Sequence, residues 1–120
     1  IASVRSAVDT ADTKESLEKA ADMLNSATEK TEDDILMNEA LNRSARDIAE
    51  AFEGKDDEVS DRYRSVEKKS GIVANQQKKN LTALQKIRED YLKARDKIMG
   101  RYKNKLDDIK SRFKEKKSGI

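Results

Sequence analysis

The chain has 120 residues, with 26 Lys and Arg against 24 Asp and Glu and no Pro, Cys, Trp or His. Without cysteine there is neither a disulfide framework nor thiolate chemistry, and without histidine the commonest general base and metal ligand is missing. Charged residues make up 42% and Leu, Ile, Val and Phe number only 23, so the material for a compact apolar core is thin.

No stretch approaches the roughly 18 consecutive apolar residues that would span a bilayer, and the start Ile1-Ala2-Ser3-Val4-Arg5 is not a secretory signal. The chain begins without Met, as expected of a fragment or a processed product. The net charge of +2 hides a division: residues 1–61 carry 17 acids and 7 bases, residues 62–120 carry 7 acids and 19 bases.

With no proline and four glycines, little interrupts helices, and no run alternates with period two as a strand would. A short turn carrying Val4, Ala7 and Val8 comes first. Asp12-Thr13-Lys14-Glu15 reads as a capping box, with Asp12 as the cap and Glu15 reaching back. Leu17, Ala20, Leu24 and Ala27 then recur at helical spacing and predict a helix over 13–29. Thr31, followed by Glu32, Asp33 and Asp34, reads as a second start, a hydroxyl cap with acids in the first turn. The stripe Met37, Leu41, Ala45, Ile48 and Phe52 predicts a helix over 31–53, terminated by Gly54 in the left-handed conformation. The acids of Lys55-Asp56-Asp57-Glu58 open a third segment, whose stripe continues through Val59, Tyr63 and Val66.

The hexapeptide Glu-Lys-Lys-Ser-Gly-Ile occurs at 67–72 and again at 115–120. Each copy has the chemistry of a helix C-cap, with lysines in a last turn and Gly at the left-handed position. A 48-residue repeat is excluded, because that offset would pair Ile48 with Asp96 and Leu41 with Glu89. From Val73 the apolar positions run through Leu81, Leu84, Ile87, Tyr91, Ala94 and Ile98 to Tyr102, Leu106, Ile109 and Phe113, with a one-place shift of phase at Gly100. A single helix over 73–117 would be about 65 Å long. Ser70, Gly71, Gln77 and Asn80 weaken its seam at the start, so a turn or hinge is expected at 70–80.

These elements predict an all-α protein, an elongated antiparallel helical bundle or coiled-coil hairpin with one long C-terminal helix. Its two parts are an acidic helical segment at 1–61 and a basic long-helix segment at 62–120. The stripe residues Leu84, Ile87, Tyr91, Ile98, Tyr102, Leu106, Ile109 and Phe113 are the expected packing positions for a partner helix, including one from a second copy.

Lys93, Lys97, Arg101 and Lys105 follow one another at i, i+4, a row of like charges that wants an anionic neighbour. The acidic helices of the same or another copy fit that need best, with charge selecting the partner and the apolar stripes supplying stability. Nucleic acid is the alternative, through phosphate neutralisation by the basic helix. Tyr91, Tyr102 and Phe113 lie on the apolar stripe rather than among the bases, and no helix-turn-helix, zinc-finger or RNA-recognition signature occurs. An interfacial membrane helix needs a bulkier apolar face than one containing Asn80 and Ala94.

The acid clusters Glu32, Asp33, Asp34 and Asp56, Asp57, Glu58, Asp61 lack the alternating ligand spacing and central Gly of a calcium loop, so they read as first-turn acids and no metal or cofactor is expected. Nothing predicts a cleft that would tune two carboxylates for catalysis. The expected function is non-enzymatic: a scaffold, stalk, spacer or chaperone-like clamp acting by protein–protein interaction in a larger assembly.

Overall fold

The computed structural model describes residues 1–118, with side chains through Lys116. Three helices carry the described residues: α1 (Ala2–Thr10), α2 (Lys14–Phe52) and α3 (Asp57–Ser118). The fold is all-α, an antiparallel hairpin of α2 and α3 with a long C-terminal helix.

The hairpin turn follows the expected chemistry. Gly54 has φ 76°, a left-handed conformation that costs glycine nothing and other residues about 1–2 kcal/mol. The amides of Lys55 and Asp56 close on the Phe52 carbonyl at 2.9 Å. Asp56 then caps α3, its Oδ1 accepting from the Val59 amide at 3.3 Å. The start of α2 is capped one residue later than expected. Thr13 Oγ1 accepts from the Ser16 amide at 3.1 Å while Ser16 Oγ accepts from the Thr13 amide at 2.9 Å, a reciprocal box with serine in place of Glu15.

Two expected interruptions do not occur. The break between 29 and 31 is absent because Thr31 does not cap anything: its hydroxyl donates back to the Ala27 carbonyl at 2.8 Å, an i−4 bond made inside a continuing helix. The first Lys-Lys-Ser-Gly-Ile does not end a helix, and no turn forms at 70–80; α3 passes through both. Ser70 likewise donates to the Val66 carbonyl at 2.8 Å. In the second copy of the hexapeptide, Gly119 and Ile120 lie outside the described residues.

The chain divides into two compact units, Ile1 with residues 25–85 and residues 2–24 with 86 onward. In the first, α2 and α3 face each other through a seam of small and polar residues. Thr31, Ile35, Ala45 and Ala49 of α2 and Ser60, Ser70, Ala74 and Leu84 of α3 are buried. The Ser60 hydroxyl donates to the Ala49 carbonyl at 2.9 Å, which sets the register and brings the backbones close. The second unit holds the more aliphatic core. Val4 and Val8 of α1, Leu17, Ala20 and Leu24 of α2, and Ile87 and Ile98 of α3 are buried there, and Arg5 is hydrogen-bonded and ion-paired to Asp90.

Candidate interaction surfaces

Among the described residues, three ion pairs join different helices, Arg5–Asp90, Arg46–Glu67 (2.8 Å) and Lys78–Glu39 (2.8 Å), and a fourth, Arg64–Glu53 (3.8 Å), joins α3 to the turn after α2. Only the last two join an acid of residues 1–61 to a base of residues 62–120; the first two run the other way. Ion pairs between the two halves thus run in both directions. The bonds set protonation in the expected directions. Hydrogen bonds from Arg46 and Arg64 hold Glu67 below the usual carboxylate range, the bond from Lys78 does the same for Glu39, and that from Arg5 for Asp90. Lys93, Lys97, Arg101 and Lys105 form no ion pair within 4 Å among the described residues.

In the first unit the pairs share one flank of the hairpin. Glu39 and Arg46 of α2 and Glu53 just after it recur every seven residues along one edge of the seam. Leu41 and Ile48 recur at the same spacing along the opposite edge, with Met37 and Phe52 beside them. On α3, Val59, Val66 and Val73 form the edge away from Arg64 and Lys78, with Tyr63 beside them. Both apolar edges consequently open on the same side of the hairpin. The Gln77–Asp34 hydrogen bond of 2.9 Å crosses at the end of that side. The expected core stripe of α2 thus forms the edge of an open face: Met37 is 69% and Leu41 49% exposed, whereas Ala45 is 1% exposed. The helices instead meet through the 4-3-4-3-4 spacing of Thr31, Ile35, Asn38, Asn42, Ala45 and Ala49, which periodicity could reveal only if Thr and Asn were admitted as seam residues.

In the second unit, the expected packing residues part company along α3. Ile87 and Ile98 are buried and Tyr91 is half-buried, as Leu84 is buried in the first unit; these positions serve the chain's own core. Tyr102, Leu106, Ile109 and Phe113 are all exposed, increasingly toward the end. Residues 101–116 are exposed throughout, so over this stretch of α3, about 24 Å long at 1.5 Å per residue, no helix among the described residues lies alongside. A shallow recess of about 90 Å³ marks where cover stops, lined by Asp12, Ile98, Arg101, Tyr102 and Lys105.

The 4-3-4 spacing of Tyr102, Leu106, Ile109 and Phe113 is a coiled-coil seam, with Leu106 and Phe113 at a and Tyr102 and Ile109 at d. The e and g positions flanking it are Lys103, Lys105, Lys110 and Arg112, every one a base. Asp107, Asp108 and Glu115 lie at b and c, away from the seam. Arg112 is partly satisfied by Asp108 at 3.2 Å. Within this unit, residues 2–24 and 86–100 hold eight bases and eight acids, while residues 101–120 hold eight bases and three acids. The unit's whole positive surplus sits on the uncovered end of the helix.

Among the described residues, no group of three or more carboxylates gathers where it could hold a metal ion, and no helix is long and apolar enough to cross a membrane. Comparison of the chain with protein-family models, with curated proteins and with solved structures finds no significant match.

Proposed function

We propose that this chain is a non-enzymatic helical interaction module, a scaffold or spacer within a larger assembly, whose α3 end docks an amphipathic helix of a partner protein with acidic residues beside its apolar seam. The observation that carries this reading is the exposed seam Tyr102-Leu106-Ile109-Phe113 bordered on both edges by bases only. Apolar side chains at a and d supply the affinity of a helix pair, and charges at e and g choose the partner. A second copy of the same seam would bring like charges together in either orientation. An acidic flank meets the bases, and charge complementarity of this kind governs association rate and partner choice more than final affinity.

Nucleic acid is the reading that the same surplus of bases would otherwise favour. Phosphate contacts, however, use the bases and leave four large apolar side chains uncovered. The test is fluorescence anisotropy with two synthetic heptad peptides, both with Leu at a and d, one with Glu and one with Lys at e and g, alongside a gel shift with a DNA duplex and single strand. Binding of the Glu peptide alone, weakening as salt rises, is expected. Equal binding of both peptides, no binding of the Glu peptide at low salt, or a gel shift unaffected by Leu106→Ser and Ile109→Ser would overturn the proposal.

A further inference from the structure

The first unit carries an apolar surface that the α3 end does not account for. The hairpin spends its small residues inside and its large ones outside. Of the eight side chains buried in its seam only Ile35 and Leu84 are large; the others are Ala, Ser and Thr. On the open flank Met37, Leu41 and Phe52 of α2 are 69%, 49% and 41% exposed, and Val73 and Tyr63 of α3 are 43% and 36% exposed. Ile48, Val59 and Val66 are half-covered between them. Apolar area left in water is unused stabilisation, and a patch of this kind marks an association surface.

The occupant follows from charge and register. The outer border of this flank on α2, read from Asp33 to Ala51, contains Asp33, Ala40, Ser44, Asp47 and Ala51, with no base. The border on α3 contains Arg62, which pairs with Glu58 of its own helix at 2.9 Å, and the base Lys69. Ala49 is level with Ser60 and Arg46 with Glu67, which places Asp47 level with the span between Arg62 and Lys69.

We infer that this flank is the interface of a homodimer, in which a second copy lies face to face across a two-fold axis parallel to the helices. That axis lays α3 of each copy over α2 of the other in antiparallel fashion, which produces a four-helix arrangement with opposite-running neighbours throughout. The interface is isologous, so each contact is made twice. Leu41, Ile48 and Phe52 of one copy meet Val59, Tyr63, Val66 and Val73 of the other, and Asp47 comes to the same level as Arg62 and Lys69 of the other copy along the outer border. An axis that stacked α2 on α2 would instead align acid with acid and base with base. Because the α3 seam beyond residue 100 is remote in sequence and makes no part of this interface, the dimer does not depend on the peptide-docking proposal.

Sedimentation equilibrium of the full chain at tens of micromolar tests it. The expected mass is twice the 13.6 kDa of the chain, falling to a single chain mass in Leu41→Lys and in Met37→Lys while helicity by circular dichroism is retained. Ile109→Glu is expected to leave the dimer intact. Asp47→Lys should weaken association, and adding Arg62→Glu and Lys69→Glu should restore it. A monomeric wild-type chain overturns the inference, as does a dimer that survives both Leu41→Lys and Met37→Lys, or one that Ile109→Glu abolishes.

Discussion

Asn42 stands where a side chain on Gly71 would have to go: a Cβ added at Gly71 would lie 3.2 Å from Asn42 Nδ2. Asn42 is held in place from both ends of its amide. Its Nδ2 donates to the Glu67 carbonyl at 2.7 Å and its Oδ1 accepts from Arg46 at 2.9 Å. The glycine that resembles a helix terminator is thus a point of close approach within a continuous helix.

Gly71→Leu is accordingly expected to destabilise the protein by about 1–3 kcal/mol, the cost of forcing volume into a packed seam. Gly100, at the phase shift of α3, has nothing within 4 Å of the corresponding Cβ. Gly100→Ala is expected to stabilise by about 0.5–1 kcal/mol, because alanine restricts the unfolded chain more and suits a helix better. Urea denaturation of the two variants measures both signs.

The buried and exposed members of the α3 stripe should separate cleanly. Leu84 is 1% exposed and Ile109 62%. Leu84→Ala is expected to cost about 2–5 kcal/mol, whereas Ile109→Glu should change stability by no more than about 0.5 kcal/mol while removing binding of the Glu-flanked peptide. Thermal unfolding together with peptide anisotropy reads the two effects independently.

Glu67 gives the acid limb of stability its sign. Arg46 and Arg64 lower its protonation point in the folded chain, so the unfolded chain takes up the proton at higher pH. The stabilisation is fully present above the ordinary glutamate range and is lost as pH falls through that range to the lower folded value. Glu39 and Asp90, lowered by Lys78 and Arg5, add in the same direction. The urea midpoint should hold steady near neutrality and drop below the ordinary carboxylate range. In Glu67→Gln the midpoint should be lower near neutrality and the acid drop shallower.

Arg5 and Asp90 tie the nine-residue α1 to α3. A helix this short does not persist in water without tertiary support. Asp90→Asn is expected to speed amide exchange over Val4–Thr10 while leaving that of residues 35–49 unchanged, as amide hydrogen exchange by mass spectrometry would record.

Much of this fold was legible in the residues, and the misreadings share one cause. Gly54 and Asp56 announced the hairpin turn because a left-handed glycine and an acidic cap have few other uses together. Thr31 and Ser70-Gly71 resembled helix ends because hydroxyl residues and glycine serve equally as caps and as thin spacers where two helices approach closely. Their neighbours decide which, and those neighbours are distant in sequence: Asn42, which meets Gly71, lies 29 positions before it, in an antiparallel register that local pattern does not carry. For the same reason Met37 and Leu41 read as core: a stripe of large apolar residues is the ordinary sign of a buried face, whereas here the face that meets α3 is built from Thr, Asn and Ala. The basic flanks of Tyr102, Leu106, Ile109 and Phe113 are visible in the sequence, but their significance depends on these four side chains being exposed among the described residues.

Amide hydrogen exchange of the full chain with and without the Glu-flanked heptad peptide tests the central claim most directly. Docking at the α3 seam requires protection to appear over residues 102–113, to diminish with added salt and to vanish in Ile109→Glu. Unchanged exchange over 102–113 in the presence of saturating peptide, or protection confined to residues 25–85, would contradict it.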